Sequence, residues 1–134
     1  MIFVDTSFLV AYALTSDSRH ADAVALRDLF SRAALITSTI VLGETWTTLR
    51  HRLGHARTRG WIDGLWALEH LRVERIDPAL EDQAWAWLRA RDERSYSFVD
   101  ATSFALMRKL RIIEALAFDG DFAAAGFVEL RPSS

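Results

Sequence analysis

Met1-Ile2-Phe3-Val4-Asp5-Thr6-Ser7 opens the chain with an apolar run that ends at an acid and two hydroxyl residues. An apolar run of this length, bounded by polar residues, predicts a short buried strand over residues 1–5. Thr6 and Ser7 are favourable helix-start residues ahead of the next apolar segment. The stretch therefore predicts a buried strand that passes straight into a helix, with Asp5 at the junction.

The same pattern of a short apolar strand followed by a helix recurs along the chain. Further strands are predicted over residues 34–37, 71–76, 112–118 and 127–130. Helices are predicted after Thr6, after Asp17-Ser18, from Ser38 or Thr39 to Gly54, over 56–70, after Asp77-Pro78, over 98–110 and over 121–125. Strands that alternate with helices predict an α/β fold, in which helices cover both faces of a parallel sheet.

Length and composition indicate a single domain over residues 1–134, with a tail at 131–134 that we expect to be frayed. The chain has no cysteine, which excludes a disulfide framework and a thiolate metal site. No stretch reaches the roughly 20 apolar residues of a membrane helix. Asp5 interrupts the N-terminal apolar run, which argues against a signal peptide. We therefore expect a cytoplasmic protein with no membrane partner.

Four acids stand where an apolar segment ends or a helix begins: Asp5, Glu44, Asp100 and Asp119. In an open α/β sheet these places gather at the carboxyl edge of the strands, where ligands bind. Carboxylates brought together there repel one another, by roughly 4 kcal/mol for two unit charges about 4 Å apart at an effective dielectric near 20. Because a divalent cation relieves this repulsion, the pattern indicates a metal-dependent enzyme that acts on an anion.

Each acid also has a purely structural interpretation. Asp5 can cap the helix that follows it, and Asp119 can cap the turn that follows it. Asp100 lies three residues after Ser97, which is the spacing of a capping box. Glu44 is harder to explain in this way, because it lies beyond the first turn of its helix, where the helix dipole gives an acid little help. Four acids on four separate elements at one sheet edge favour a shared site over independent capping.

The net charge of −2 does not exclude a polyanionic substrate. The four acids contribute −4, so the rest of the chain carries +2. One bound divalent cation brings the whole protein to 0, and two bring it to +2. The sign of the total charge is therefore no argument against a nucleic-acid substrate.

The order and spacing of these acids resemble those of the PIN-domain ribonucleases. The likeness covers the whole chain and rests on Val4-Asp5-Thr6-Ser7, Glu44, Phe98-Val99-Asp100-Ala101 and Phe118-Asp119-Gly120-Asp121-Phe122. The chain looks most similar to the VapC-type toxins of bacterial VapBC toxin–antitoxin pairs. The resemblance implies a three-layer α/β/α sandwich with a central, mainly parallel five-stranded sheet, and endonucleolytic hydrolysis of RNA with Mg²⁺ or Mn²⁺. It also implies a VapB-like antitoxin as partner and a homodimer.

The resemblance assigns roles to the acids one position at a time. Asp5 and Asp100 look like the principal metal ligands, and Asp119 looks like the third carboxylate, which binds the metal directly or through water. Glu44 resembles the family's glutamate, which helps to hold a metal or its water. All four are therefore predicted to be catalytic.

Neighbouring residues are expected to support these acids. Thr6 or Ser7 would hold the first loop by hydrogen bonds, as the resemblance implies. Asp121 is interpreted as a cap, as a group behind the metal ligands, or as a fifth acid. Ala117 departs from the pattern, because many relatives have a threonine or serine there. The hydrogen bonding next to Asp119 is therefore expected to differ in this chain.

Contacts with substrate and partners are predicted from arginine and tryptophan. Arg50, Arg91 and Arg94 are candidates for phosphate contacts, which position a nucleic acid without reading its sequence. A solvated helix face explains these three arginines equally well. Trp85 and Trp87 lie two residues apart on one helix and cannot both face the core. One of them is therefore a candidate for a dimer or antitoxin contact.

Other functions fit the sequence less well. A receiver domain or a haloacid-dehalogenase-type phosphatase would also use Asp5 with Mg²⁺, in phosphoryl transfer. The receiver needs a lysine after a late strand, but Lys109 lies within a predicted helix, and the phosphatase needs an aspartate where this chain has Ser7. A non-catalytic PIN-like domain that only binds RNA or protein has no reason to retain four mutually repelling acids. The last alternative is a generic α/β domain whose acids are caps.

Overall fold

Five short strands form one sheet in residues 1–132, the part of the chain that the computed structural model describes. The strands are β1 (Ile2–Val4), β2 (Leu35–Ser38), β3 (Leu71–Glu74), β4 (Glu114–Leu116) and β5 (Val128–Glu129). Their order in space is β3-β2-β1-β4-β5, and every neighbouring pair is parallel. The predicted five-stranded parallel sheet is therefore confirmed.

Seven helices in the same described residues connect these strands. They are α1 (Thr6–Ala13), α2 (His20–Leu29), α3 (Thr39–Leu53), α4 (His55–Trp66), α5 (Pro78–Arg89), α6 (Phe98–Leu110) and α7 (Asp121–Ala124). The chain moves outward from β1 to β3 and then returns to β4 and β5, so right-handed crossovers place helices on opposite faces of the sheet. This arrangement confirms the predicted α/β/α sandwich. Within residues 1–132 none of the helices has the length and apolar character needed to cross a bilayer.

The helix starts follow the predicted capping chemistry. The Ser38 hydroxyl accepts a hydrogen bond of 3.1 Å from the backbone N–H of Val41 at the start of α3. The Asp77 carboxylate accepts one of 2.9 Å from the N–H of Leu80, and Pro78 occupies the first position of α5. Because α3 begins directly after β2, its second turn lies beside the carboxyl edge of the sheet.

Helix α6 passes through the interior of the molecule. All of its residues from Asp100 to Met107 are buried. Its Phe104 ring packs edge-on against Phe122, with 4.9 Å between the ring centroids, and Phe122 in turn contacts Phe3 of β1. This packing desolvates the first turn of α6, and with it the carboxylate at position 100.

Several element boundaries differ from the prediction. Helix α4 ends at Trp66 instead of residue 70, because the chain tightens there into a turn in which the N–H of Leu68 bonds to the carbonyl of Leu65. The three later strands are also shorter than predicted, since β3 ends at Glu74 and β4 and β5 pair over only a few residues. These differences move no predicted site residue to another element.

Arg131, in the tail that we expected to be frayed, contacts the body of the protein. Its Nη1 donates a hydrogen bond of 2.7 Å to the carbonyl of Ala117, and its Nη2 lies 2.9 Å from the Glu129 carboxylate. Its guanidinium carbon also lies 5.1 Å from the centroid of the Phe118 ring. The residue therefore ties the end of the described chain to the segment after β4. Residues 133 and 134 of the predicted tail lie outside the described residues.

Candidate active site

The predicted acids come together at the carboxyl edge of the sheet. Strand order reverses between β1 and β4, and Asp5 and Asp119 follow the carboxyl ends of these two strands. Asp100 enters from the first turn of α6, and Glu44 from the second turn of α3. This is the place where open α/β sheets bind ligands.

Asp5 is buried at the junction between β1 and α1. It is only 2% exposed, and its Oδ2 accepts hydrogen bonds from the backbone N–H of Ser7 (3.1 Å) and from the Ser7 hydroxyl (2.7 Å). The same hydroxyl accepts a hydrogen bond of 2.9 Å from the N–H of Phe118. Ser7 therefore joins the loop after β1 to the loop after β4. This link and the Arg131 contact hold the segment around Ala117, the position at which this chain departs from the family pattern.

Thr6 connects the same loop to α3. Its hydroxyl lies 3.4 Å from the carbonyl of Val41 and 3.5 Å from the hydroxyl of Thr45, the residue after Glu44. The contacts are long, but all three groups are buried. They fix the separation between the first turn of α1 and the turn of α3 that carries Glu44.

Asp100 is a capping residue as well as a member of the acidic group. Its Oδ2 accepts a hydrogen bond of 2.9 Å from the N–H of Ser97, and the Ser97 hydroxyl accepts one of 2.9 Å from the N–H of Asp100. The carboxylate is buried, with 5% exposure. The capping box predicted from the spacing is present, and it fixes the side chain at the sheet edge.

Asp119 and Asp121 complete a compact group with Asp100. Oxygen atoms of the three carboxylates lie within 4.8 Å of one another, with Asp100 buried, Asp121 half-buried and Asp119 exposed. Asp119 Oδ1 accepts a hydrogen bond of 3.1 Å from the N–H of Asp121, which begins α7. Of the three interpretations offered for Asp121, the geometry favours a fifth acid, because its carboxylate lies among those of Asp100 and Asp119.

A second part of the site opens beside this group. Asp5, Glu44 and Asp119 line one open cavity of about 470 Å³, together with Arg19 and Phe118. Asp119 therefore belongs both to the carboxylate group and to the cavity. Glu44 is half-buried and faces this space from α3.

Burial and mutual repulsion raise the pKa values of three of these acids. Burial, reinforced by the charge of Asp119, raises the pKa of Asp5 from 3.8 to about 7 against the opposing hydrogen bonds from Ser7. Burial likewise raises the pKa of Asp100 to about 7, with the charges of Asp121, Asp119 and Asp5 acting in the same direction. The pKa of Asp119 is raised by partial desolvation and by neighbouring carboxylates. Such shifts are concentrated at functional sites.

The donor set fits a hard divalent cation. Mg²⁺ prefers oxygen ligands at about 2.0–2.1 Å, so two ligands on opposite sides of the ion lie about 4.2 Å apart. The carboxylate oxygens of Asp100, Asp119 and Asp121 lie within 4.8 Å of one another, which is close to this separation. The hydrogen bonds found within residues 1–132 use one oxygen each of Asp5, Asp100 and Asp119, and leave the second for a cation.

Comparison with known families agrees with this geometry. Residues 2–128 match the PIN domain over nearly the whole length of the chain. The chain belongs to the PIN-domain family. The matched segment contains Asp5, Glu44, Asp100, Asp119 and Asp121.

Similarity extends to individual PIN-domain toxins. The chain is 53% identical over 132 residues to VapC20 from two strains of Mycobacterium tuberculosis. That protein is named a 23S rRNA-specific endonuclease, and the alignment covers 98% of this chain and 99% of each relative. It also matches the crystal structure of Mycobacterium tuberculosis VapC20, described as a sarcin–ricin loop cleaving toxin, with a TM-score of 0.90 and 51% identity over 98% of this chain and 100% of that one. The predicted resemblance to VapC-type toxins is confirmed. The individual roles of the acids remain predictions.

The three arginines predicted to bind substrate lie in different places. Arg94 reaches the PIN-domain acids, with Nε 2.5 Å from Asp121 Oδ1 and Nη2 donating 3.0 Å to the carbonyl of Asp119. Arg91 does not line the acidic cavity and lies over Trp87, 5.1 Å from the ring centroid. Arg50 is exposed on α3, and six residues place it about 240° around the helix from Glu44. Only Arg94 is therefore brought to the acids.

Two residues at this edge were not predicted. Arg19 lines the acidic cavity, with its guanidinium carbon 4.9 Å from the centroid of Phe118. Glu129 accepts hydrogen bonds from the N–H groups of Gly120 (3.2 Å) and Ala123 (3.0 Å), which fixes the turn that carries Asp119. The signal for Glu129 was visible in the sequence, since it is an acid inside the apolar run that predicts the last strand. Arg19 gave no comparable signal.

Proposed function

We propose that this chain is the toxin of a VapBC-type pair, and that it cuts 23S rRNA in the sarcin–ricin loop with the help of a divalent cation. The convergence of buried carboxylates at the carboxyl edge of the sheet supports nuclease chemistry. The choice of RNA rests on VapC20, which is 53% identical over nearly the full chain and is named a 23S rRNA-specific endonuclease.

Asp5, Asp100 and Asp119 are proposed to hold Mg²⁺ or Mn²⁺, with Asp121 beside them. A cation bound there would lower the pKa of a water molecule and stabilise the charge that develops on the leaving oxygen. Buried carboxylates are costly to ionise alone, and a cation favours their charged form. The raised pKa values of Asp5 and Asp100 are therefore what an acidic cation site predicts before it is filled.

The protein itself contributes orientation. The hydrogen bonds from Ser7 to Asp5 and from Ser97 to Asp100 lock the two most buried carboxylates in place. Glu44 lies across the cavity on a separate helix and is proposed to accept a hydrogen bond from the attacking water. Arg19 lines the same cavity and is placed to contact a phosphate next to the scissile bond.

The experiment that tests this function is cleavage of intact ribosomes and of isolated 23S rRNA, with primer extension to map the cut. Wild-type protein with Mg²⁺ or Mn²⁺ is expected to give one cut in the sarcin–ricin loop, and EDTA is expected to abolish it. Asp5→Asn and Asp100→Asn are expected to abolish it as well. Asp82→Asn is the matched control, because it makes the same change at an exposed aspartate of α5.

The possible outcomes separate the parts of the proposal. A metal-dependent cut elsewhere in rRNA, or in another RNA, would refute the sarcin–ricin assignment and retain the nuclease. Cleavage that persists in both aspartate variants would refute the carboxylate mechanism. RNA binding without cleavage under any metal condition would favour a non-catalytic PIN-like domain.

We also propose a VapB-like antitoxin and a second copy of this chain as partners. Trp85 supports a protein contact, since it is 42% exposed and stacks on Phe98 with 4.6 Å between ring centroids, while Trp87 packs against the core. Trp66 and Leu68 are exposed apolar residues at the end of α4. Light scattering of the chain with and without a co-expressed antitoxin tests both partners, and Trp85→Ala is expected to weaken one of the two contacts.

A further inference from the structure

A groove between α5 and α6 carries two arginines on one tryptophan. Gln83, Trp87, Arg91, Ala105 and Arg108 line a cavity of about 250 Å³, which we call the arginine–tryptophan groove. The guanidinium carbon of Arg91 lies 5.1 Å from the Trp87 ring centroid, and that of Arg108 lies 5.6 Å from it. The two cations therefore share one aromatic ring.

The positive charge in this groove is not neutralised by the protein. No carboxylate is among its lining residues, and within residues 1–132 no carboxylate lies within 4.0 Å of Arg108. Arg91 has only a long contact of 3.8 Å with exposed Glu93, and such surface pairs contribute little. Partial desolvation lowers the pKa of Arg108, and the nearby charge of Arg91 acts in the same direction.

The aromatic surroundings hold the arginines in place in spite of this repulsion. Arg108 also lies 5.4 Å from the ring centroid of Phe127 and 6.0 Å from that of Phe104. Guanidinium groups stacked on rings retain their in-plane N–H donors. Two such groups directed at one groove match the oxygens of a phosphate group, which accepts hydrogen bonds from arginine in a bidentate manner.

We propose that the arginine–tryptophan groove binds a backbone phosphate of the RNA, a few nucleotides from the bond that is cut. Asp100 and Arg108 both lie on α6, eight residues apart, which corresponds to about 12 Å along the helix. A stacked strand advances about 3.4 Å per phosphate, so this distance spans roughly three to four nucleotides. The inference rests on the proposed ribonuclease function and extends its substrate site along α6.

The loop before α6 connects the groove to the acids. Arg91 lies over Trp87 at one end of this loop, and Arg94, three residues later, binds Asp121 and the carbonyl of Asp119. A single short segment therefore borders both places. An RNA strand that follows this segment meets positive groups on its way from the groove to the acidic edge.

The test measures RNA affinity as a function of salt in an Asp5→Asn background, so that the RNA is not cut. The probe is a fluorescein-labelled RNA hairpin that carries the sarcin–ricin loop sequence, and anisotropy is followed from 0.05 to 0.3 M NaCl. Each lost phosphate contact reduces the slope of log K against log salt by about 0.7 to 0.9. Adding Arg91→Gln and Arg108→Gln is expected to reduce the slope by about 1 to 2 and to raise Kd roughly 10- to 30-fold near 0.15 M salt.

Two further variants make the result specific. Arg89→Gln removes a guanidinium from the same helix, two residues beyond Trp87 and on the opposite side, and is expected to leave the slope unchanged. Arg91→Lys with Arg108→Lys keeps both charges and is expected to restore most of the slope. With active Asp5, the two glutamine substitutions are expected to raise KM and leave kcat unchanged, since the groove is remote from the reacting atoms.

If the double glutamine variant has the same slope of log K against log salt as the parent protein, the proposal is overturned. An acidic protein segment is then the ligand that fits the groove. An equal loss in Arg89→Gln also overturns it, because the effect is then general surface charge. Failure of the proposed function gives a different result: the wild-type protein does not cleave, while the slope still depends on Arg91 and Arg108.

Discussion

The acidic edge and the arginine–tryptophan groove are two charge clusters of opposite sign, about 12 Å apart along α6. At the acidic edge Asp5 and Asp100 are buried, and hydrogen bonds from Ser7 and Ser97 fix their carboxylates. In the groove the charges are exposed and are held only by stacking on aromatic rings. The fold therefore buries two acids of the negative cluster and leaves the positive cluster in contact with solvent.

This difference in burial decides what each cluster controls. Charge–charge interactions are several times stronger away from water, and burial of a charge is itself unfavourable. Changes at the acidic edge are therefore expected to alter both stability and chemistry. Changes in the groove are expected to alter affinity, in a manner that depends on salt.

The largest expected effect comes from removal of one buried charge. Asp100→Asn keeps an oxygen that accepts the hydrogen bond from the Ser97 N–H but removes a proposed metal ligand. Loss of groups that only support a metal ligand already costs about 10- to 100-fold, so loss of the ligand itself is expected to lower kcat by more than about 100-fold. The metal-free variant is expected to melt a few degrees higher than the wild type, because one repelling carboxylate is gone. Single-turnover cleavage and thermal melts in EDTA measure the two effects.

The essential part of this prediction is that Asp100→Asn lowers the cleavage rate while it raises the melting temperature of the metal-free protein. The groove variants are expected to show no comparable gain in stability, and the exposed control Asp82→Asn is expected to change neither quantity. A variant of Asp100 that loses activity because it unfolds would contradict the assignment of a charge conflict at the acidic edge.

The second effect is the dependence of metal-free stability on pH. The pKa of Asp5 rises from 3.8 in an exposed chain to about 7 in the fold. Between these values the folded protein keeps a proton that the unfolded chain has released, so stability falls as pH increases from about 4 to about 7 and then becomes constant. One pKa unit corresponds to about 1.4 kcal/mol, so Asp5 alone accounts for roughly 4 kcal/mol. Chemical denaturation in EDTA between pH 5 and 8 measures the loss.

A divalent cation is expected to reverse this trend. The carboxylate ligands must be deprotonated to bind metal. Mg²⁺ at about 10 mM, in excess over the protein, is therefore expected to stabilise the fold at pH 8 and to have little effect at pH 5. Asp5→Asn is expected to reduce both dependences, and the raised pKa of Asp100 accounts for the part that remains. Equal stabilisation by Mg²⁺ at the two pH values would show that the ion binds elsewhere.

Much of the acidic edge could be predicted from sequence, because its geometry follows from local rules. Parallel strands end at a common edge, so acids that follow short apolar runs, such as Asp5 and Asp119, are brought near each other. The spacing from Ser97 to Asp100 correctly predicted a capping box, and the box serves to place a buried carboxylate. Capping and the shared site are compatible, because capping uses only one oxygen of each aspartate.

The groove and the outer contacts of the site could not be predicted in the same way. Arg91 and Arg108 lie on different elements and meet only because α5 packs against α6. Arg91 was predicted to contact phosphate, but nothing in the sequence separated it from Arg50. Arg131 was assigned to a frayed tail because its contacts with Ala117 and Glu129 depend on how β5 pairs with β4.

A third, smaller effect concerns the link between the two clusters. Arg94→Gln removes the ion pair with Asp121 and the hydrogen bond to the Asp119 carbonyl. Arg94 itself is largely exposed to solvent, so stability is expected to change by less than about 1 kcal/mol. Activity is expected to fall by about 10-fold or more, because the turn that carries two acids loses its support. Steady-state cleavage kinetics together with calorimetric Mg²⁺ titration measure this effect.

Gly120→Ala provides an independent way to displace the same arginine. A Cβ at Gly120 would lie 3.0 Å from Arg94 Nη2, and the backbone there has a φ of +83°. Arg94→Lys is expected to rescue little, since one ammonium cannot replace the two directions of the guanidinium fork. Full activity in both Arg94→Gln and Gly120→Ala would show that the two clusters act separately.

The smallest effect is expected at Thr58, where a buried polar group carries no charge. Its hydroxyl has no hydrogen-bond partner within residues 1–132, and the residue is fully buried in α4. Thr58→Val replaces the hydroxyl with a methyl group of similar shape and removes an unsatisfied group, which is expected to stabilise the fold by up to about 1 kcal/mol. This gain is expected to be the same at pH 5 and pH 8, and with or without Mg²⁺, since the site holds nothing that titrates. Denaturation under the four conditions measures it. If the stability gained by Thr58→Val changes with pH or Mg²⁺ as the Asp5 contribution does, the pH dependence of stability is a property of the whole fold. It can then not be assigned to buried charge at the acidic edge.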